Sequence, residues 1–178
     1  MAFSWDDCGV NLAEAEILNA SGVSLTIGPN SLVLLPPGAE PESLFGSYSC
    51  AGTTHVTGTP LVVPQGASYQ LTGRILDLVE CSGELSGDHG SLDLLGGLRL
   101  LGGTIRLGDG TLVANGGAYG MEGGYLYGET MVVGRDGEGV FTHTAGTNSL
   151  KYVTLGETAR SSGTYRLLGG GHMRIRHL

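Results

Sequence analysis

Seven carboxylates in the middle of the chain, Asp77, Glu80, Glu84, Asp88, Asp93, Asp109 and Glu122, have the plainest capacity for chemistry. Stacked on one face, such acids bind a metal or share a general acid/base task. Their spacing follows no common period, so the sequence predicts no such row. The five histidines, His55, His89, His143, His172 and His177, are equally dispersed. Cys8, Cys50 and Cys81 form no CxxC pair, which argues against a zinc or thioredoxin-type site. A Cys8–Cys50 bridge and buried free thiols both stay open, the thiols being the simpler reading. Gly134-Arg-Asp-Gly-Glu-Gly139 is like a phosphate loop only in glycine content and reads as a corner turn, with Asp136 and Glu138 solvated on it. Walker, GxGxxG, HExxH, EF-hand, GxSxG and calcium-nonapeptide patterns are missing. The expectation is a non-enzyme with no catalytic residue, metal or cofactor.

The elements that would position any site come from composition and repeats. The 178 residues include 33 glycines, 40% hydrophobic and 15% charged residues. Ordinary glycine usage is about 7%. No Gly-X-Y period points to collagen, and the apolar content is too high for a disordered linker. Short strands with many tight corners remain. Long helices are disfavoured, since each interior glycine costs roughly 1 kcal/mol against alanine.

One unit is written repeatedly from Tyr119 onward. Tyr119-Gly-Met-Glu-Gly-Gly124, Phe141-Thr-His-Thr-Ala-Gly146 and Tyr165-Arg-Leu-Leu-Gly-Gly170 open successive copies, and Gly103 precedes them in step. A fixed period in the twenties marks a solenoid. Alternation of side chains along a strand places Leu98, Tyr119, Phe141 and Tyr165 in one inward column. Leu100, Met121, His143 and Leu167 form the next, which makes His143 a neutral core histidine in this register and a groove residue if the strand is flipped. Gly103, Gly124, Gly146 and Gly170 are predicted to stack at a corner. Thr142 and Thr144 face outward, but neighbouring coils offer Gly120, Glu122, Arg166 and Leu168 instead of the threonine array that ice binding needs.

The predicted fold is all-β, a single-stranded right-handed parallel β-helix with coils of about 21–24 residues in its C-terminal half. Residues 1–22 read as an N-terminal cap or extension. Residues 23–97 read as irregular coils with a proline-rich loop at 36–45. Residues 98–178 read as regular repeats whose last coil is incomplete.

Gly139-Val-Phe-Thr-His-Thr-Ala-Gly-Thr-Asn148, Val153-Thr-Leu-Gly156 and Ser162-Gly-Thr-Tyr-Arg-Leu-Leu-Gly-Gly170 resemble the glycine-rich repeats of secreted bacterial β-solenoids. Those are the passenger-type repeats of autotransporter-like and sorting-signal-bearing surface proteins. The opening Phe3-Ser-Trp-Asp6 is similar to mature starts in that group. The resemblance covers residues 119–170. It implies a right-handed parallel β-helix serving as an extracellular scaffold or adhesin, with no shared catalytic residues. The first residues lack the basic start and apolar core of a signal peptide, which leaves a cytoplasmic chain or a removed signal open; the resemblance implies the second, with a secreted or cell-surface location. No apolar run approaches the roughly 20 residues of a membrane span.

Charge is graded along the chain. The net charge is −8, yet residues 1–70 hold six acids, among them Asp6, Asp7, Glu14 and Glu16, and no lysine or arginine. Residues 139–178 hold Lys151, Arg160, Arg166, Arg174 and Arg176 against Glu157 alone. In a solenoid, sequence order is axial position, so one end is acidic and the other basic. Two expectations stay open: a second copy stacked head-to-tail into filaments, or a monomer whose C-terminal residues curl over and cap the coil, with the charge bias as solvated surface. The alternative is a polysaccharide bound or cleaved along a lateral groove, or a cell surface. The acidic total and the lack of basic–aromatic interleaving argue against nucleic acid.

Overall fold

The computed structural model describes residues 2–5, 9–12, 20–28, 31–87 and 90–176. Alternating and continuous apolar runs, cut by glycine and proline, become short strands, and the named strand pairs are all parallel. They stack as a β-solenoid of about seven turns.

The first strands form a two-sheet unit. β1 (Ala2–Trp5), β2 (Gly9–Asn11), β3 (Ala20–Ile27) and β4 (Leu32–Leu35) lead through a helical turn α1 (Pro41–Leu44) to β5 (Phe45–Cys50) and β6 (Thr53–Val56). The chain alternates between the sheets β1-β3-β5 and β2-β4-β6. All four residues of β4 are buried because both of its faces are covered. Val33 and Leu35 pack with Leu25 and Ile27 inside the unit, while Leu32 and Leu34 enter the core of the main stack. Asn11 Nδ2 donates to the Arg74 carbonyl at 2.9 Å, Thr53 Oγ1 lies 2.6 Å from the Tyr69 hydroxyl, and His55 Nε2 lies 3.0 Å from Asp77 Oδ2. The sheet β2-β4-β6 thus covers the first coil of the main stack. A face with no alternation, such as Leu32-Val-Leu-Leu35, is what burial on both sides requires.

From Leu61 the chain winds around one axis with three faces. The first coil is β7 (Leu61–Val63), β8 (Ser68–Gln70) and β9 (Gly73–Ile75). The second is β10 (Val79–Cys81), β11 (Glu84–Ser86) and β12 (Leu92–Leu94). The third is β13 (Leu98–Leu100), β14 (Thr104–Arg106) and β15 (Thr111–Ala114). Arms then merge into β16 (Ala118–Met121), β17 (Tyr125–Val133), β18 (Glu138–Leu155) and β19 (Ser162–Ile175). On the first face Leu61 pairs with Val79 and Val79 with Leu98, steps of 18 and 19 residues. Gly120 then lies 21 residues after its partner Arg99, Phe141 22 after Tyr119, and Tyr165 24 after Phe141. The regular stack therefore starts at Leu61, well before Leu98, with shorter coils first. The sequence hides this because Pro60, Pro64 and the short coils break its period.

The axis is filled by Leu, Ile, Val and Met. Leu98, Leu100, Met121, Phe141 and His143 are fully buried, and Tyr119 and Tyr165 pack half-buried against the core. Gly103, Gly124 and Gly146 have φ of 65°, 76° and 87° at one corner. A Cβ on Gly103 would lie 1.9 Å from the Gly83 carbonyl oxygen, and one on Gly124 2.3 Å from that of Gly103. Both the left-handed backbone and the close approach of the coil beneath exclude a side chain there. Gly170 departs from the expected row. A register shift after His143 pairs Ala145 with Gly170 and Gly146 with Gly171. Leu167 and Gly170 are three residues apart where His143 and Ala145 are two, so an extra residue bulges at this corner.

Candidate functional site

The end of the stack at β19 is the most unusual surface. β19 pairs with β18, and among the described residues nothing pairs with its other edge. Beneath it Phe141, His143, Asn148 and Leu150 are buried. Their partners one coil up, Tyr165, Leu167, Met173 and Ile175, are only partly covered, Leu167 being 49% exposed. Leu155 and Leu168 are half exposed as well. Arg166 and Arg174 stand outward on this strand and Arg176 follows it, all exposed. The acids expected at the opposite end, Asp6, Asp7, Glu14 and Glu16, lie outside the described residues, as does Cys8.

Just below that end sits a buried polar chain. His143 Nε2 donates to the Gly146 carbonyl at 3.1 Å, which leaves Nδ1 to accept from the Tyr165 hydroxyl at 2.8 Å. The Tyr165 oxygen in turn accepts from Asn148 Nδ2 at 3.1 Å. Burial lowers the His143 pKa below its ordinary 6.5, and nearby His172 pushes the same way. Burial raises that of Tyr165, so both groups are neutral. With the folded pKa below the unfolded one, the unfolded chain takes up the proton first as pH falls. Stability from this site is therefore intact above pH 6.5 and declines below it, by up to about 1.4 kcal/mol per pH unit. Urea midpoints measured from neutral to mildly acidic pH should show this decline, and His143→Gln should flatten it.

Among the described residues the carboxylates do not assemble. Glu80 is on the first face, 2.6 Å from Arg99. Glu84 is on the second, 3.5 Å from Arg106. Asp93 is on the third, where it accepts the Thr111 N–H at 2.8 Å. Asp77 accepts the Gly58 N–H and faces His55. These acids join one coil to the next. So do Glu129 with Lys151 at 2.7 Å and Glu157 with Arg135 at 2.9 Å. Asp88 and His89 lie outside the described residues. Among the described residues no group of three His, Cys, Asp or Glu is placed to hold a metal, and no helix is long and apolar enough to cross a membrane.

The first face carries an open groove of about 860 Å³ lined by Arg99, Tyr119, Gly120, Glu122, Thr142 and Thr144, with Leu78 at its edge. The bare Gly120 forms its floor between Arg99 and Thr142. The second face carries a feature that column alignment from Tyr119 missed, the outward pair Tyr125 and Tyr127. Its signal was available: in Tyr125-Leu126-Tyr127 the apolar Leu126 is the inward residue, which turns both rings outward.

The two free cysteines among the described residues differ. Cys50 is exposed, whereas Cys81 is fully buried and its thiol pKa is raised to about 11, chiefly by desolvation. A thiol-alkylating reagent should therefore label Cys50 in the native protein and reach Cys81 only on unfolding. Mass spectrometry of peptides labelled with and without urea checks this. No family model, curated protein or solved structure matches the chain.

Proposed function

We propose that this chain is a non-catalytic β-solenoid scaffold of the cell exterior, and that it associates end to end through β19. The observation that carries the reading is the free edge of that 14-residue strand. Among the described residues nothing pairs with the backbone donors and acceptors on its outer side, and Tyr165, Leu167, Met173 and Ile175 leave the axial core partly open to water. An extended edge of this kind pairs with another strand unless something blocks it. The partner is a second copy of the chain. Arg166, Arg174 and Arg176 at this end face the acidic N-terminal segment of the next molecule, where residues 1–70 have no basic side chain. Complementary ends favour head-to-tail contact, which propagates when it does not close. The likeness of residues 119–170 to surface-protein repeats supports the extracellular setting.

Sedimentation velocity tests this. The native chain should grow in size with concentration and shrink as salt screens the charged ends. Leu167→Lys, which places a charge over the open core, should hold it monomeric at every concentration. A native particle whose size ignores both concentration and salt contradicts the proposal.

A further inference from the structure

The outward side of the second face gathers a set of groups of which the scaffold reading uses only Arg174 and Arg176. Thr104, Tyr125, Thr147 and His172 form one row up the stack, and Arg106, Tyr127, Ser149 and Arg174 form the next. The rings of Tyr125 and Tyr127 are parallel to within 6°, with centroids 6.0 Å apart, and Tyr125 is half exposed. The Arg106 guanidinium lies 5.1 Å from the Tyr127 ring centre. A hollow of about 200 Å³ opens beside them, lined by Arg106, Gly108, Tyr127, Gly128, Ser149 and Arg176.

These groups specify a ligand class. Phenol rings offer apolar area to a sugar ring together with a polar handle for its hydroxyls. Thr104 and Thr147 add hydroxyls that both donate and accept, and the largely buried Ser149 lines the hollow. Arg106, Arg174 and Arg176 supply guanidinium forks for carboxylate or sulfate. The face has this cationic character although the whole chain carries −8, with Glu84 as the acid at its lower end. The rows repeat at the coil spacing, about 4.8 Å, on the scale of one sugar unit. We infer that this face binds an acidic polysaccharide lying along the stack, its acid groups taken by the arginines and its rings by Tyr125 and Tyr127. A nucleic acid fits less well. Its dense phosphates would meet three arginines on a strongly acidic chain, and affinity for such a polyanion scales with the number of phosphates neutralised.

Affinity electrophoresis in native gels tests the inference. The chain should be retarded by polygalacturonate or by chondroitin sulfate and not by neutral dextran. Arg106→Gln and Tyr125→Ser should each weaken retardation about tenfold, while Arg160→Ala, which removes the same charge elsewhere, should not. Tyr125 is half exposed, so its replacement leaves the fold intact, which circular dichroism verifies. Leu167→Lys should still be retarded, so loss of assembly and loss of binding are separate results. The inference is overturned if neither acidic polymer retards the chain, or if dextran does so equally. It is also overturned if Arg106→Gln and Tyr125→Ser behave as wild type, if Arg160→Ala weakens retardation as much as they do, or if a single-stranded oligonucleotide binds more tightly.

Discussion

Gly124→Val is expected to destabilise the chain by roughly 3 kcal/mol or more. Two costs combine. At φ of 76° a side-chain-bearing residue pays about 1–2 kcal/mol for the left-handed backbone, and β-branching adds to it. The new Cβ would also lie 2.3 Å from the Gly103 carbonyl oxygen, so two hydrogen-bonded coils must part. That carbonyl accepts the Tyr125 N–H at 2.9 Å, and displacing it loosens the ladder just where β17 begins. Urea denaturation measures the loss. Gly170→Ala is the matched control: nothing lies within 4 Å of its Cβ position and its φ is not left-handed, so its midpoint should move within about 0.5 kcal/mol. Equal damage from the two substitutions would mean that the corner row is wrongly drawn.

Phe141→Ala should cost about 3–5 kcal/mol, the usual penalty for removing a buried aromatic ring and leaving its cavity. Phe141 is fully buried, paired with Tyr119 below and Tyr165 above. Its ring stacks on that of Tyr165 with centroids 5.5 Å apart. Removing it frees the Tyr165 ring, whose hydroxyl fixes both His143 and Asn148. The variant should therefore lose stability and also part of the decline below pH 6.5. Phe141→Leu, which keeps most of the volume, should lose far less, about 1.5 kcal/mol or less. Thermal and urea unfolding of both variants at two pH values would show this, and a Phe141→Ala midpoint close to wild type would place the ring outside the core.

These two residues also show how much the sequence discloses. The aromatic and glycine columns from Leu98 onward were legible because an inward residue and a left-handed corner each restrict residue type strongly. Repetition at 21 to 24 residues then makes the restriction visible. His143 could be placed in the core by its column alone. Its partners could not, since Asn148 reaches Tyr165 from another arm of the neighbouring coil, and only the winding brings them together. Gly170 was misplaced because Gly169, Gly170 and Gly171 are interchangeable in sequence, and the bulge after His143 decides which one stacks.

The N-terminal third was least legible. Strands such as Val23-Ser-Leu-Thr-Ile27 announce themselves by alternation, but alternation does not say which sheet they join. β4 belongs to two cores at once, and its continuous apolar run fits a coil strand as readily as a covering sheet. The outward Tyr125 and Tyr127 were readable from alternation. Their association with Arg106 and Arg176 was not, because it depends on coil register.

Double-cysteine cross-linking tests the winding most directly. In a Cys50→Ser background, Thr142→Cys combined with Arg166→Cys places two thiols on directly paired positions of β18 and β19. Adjacent strands stand about 4.8 Å apart, within the Cα range of a disulfide. The stack predicts rapid oxidation to an intrachain bond for this pair and slow oxidation for Thr142→Cys with Leu168→Cys, which is two residues out of register. Faster bonding of the out-of-register pair, or no intrachain bond in either, would contradict the coil on which every surface described for this molecule depends.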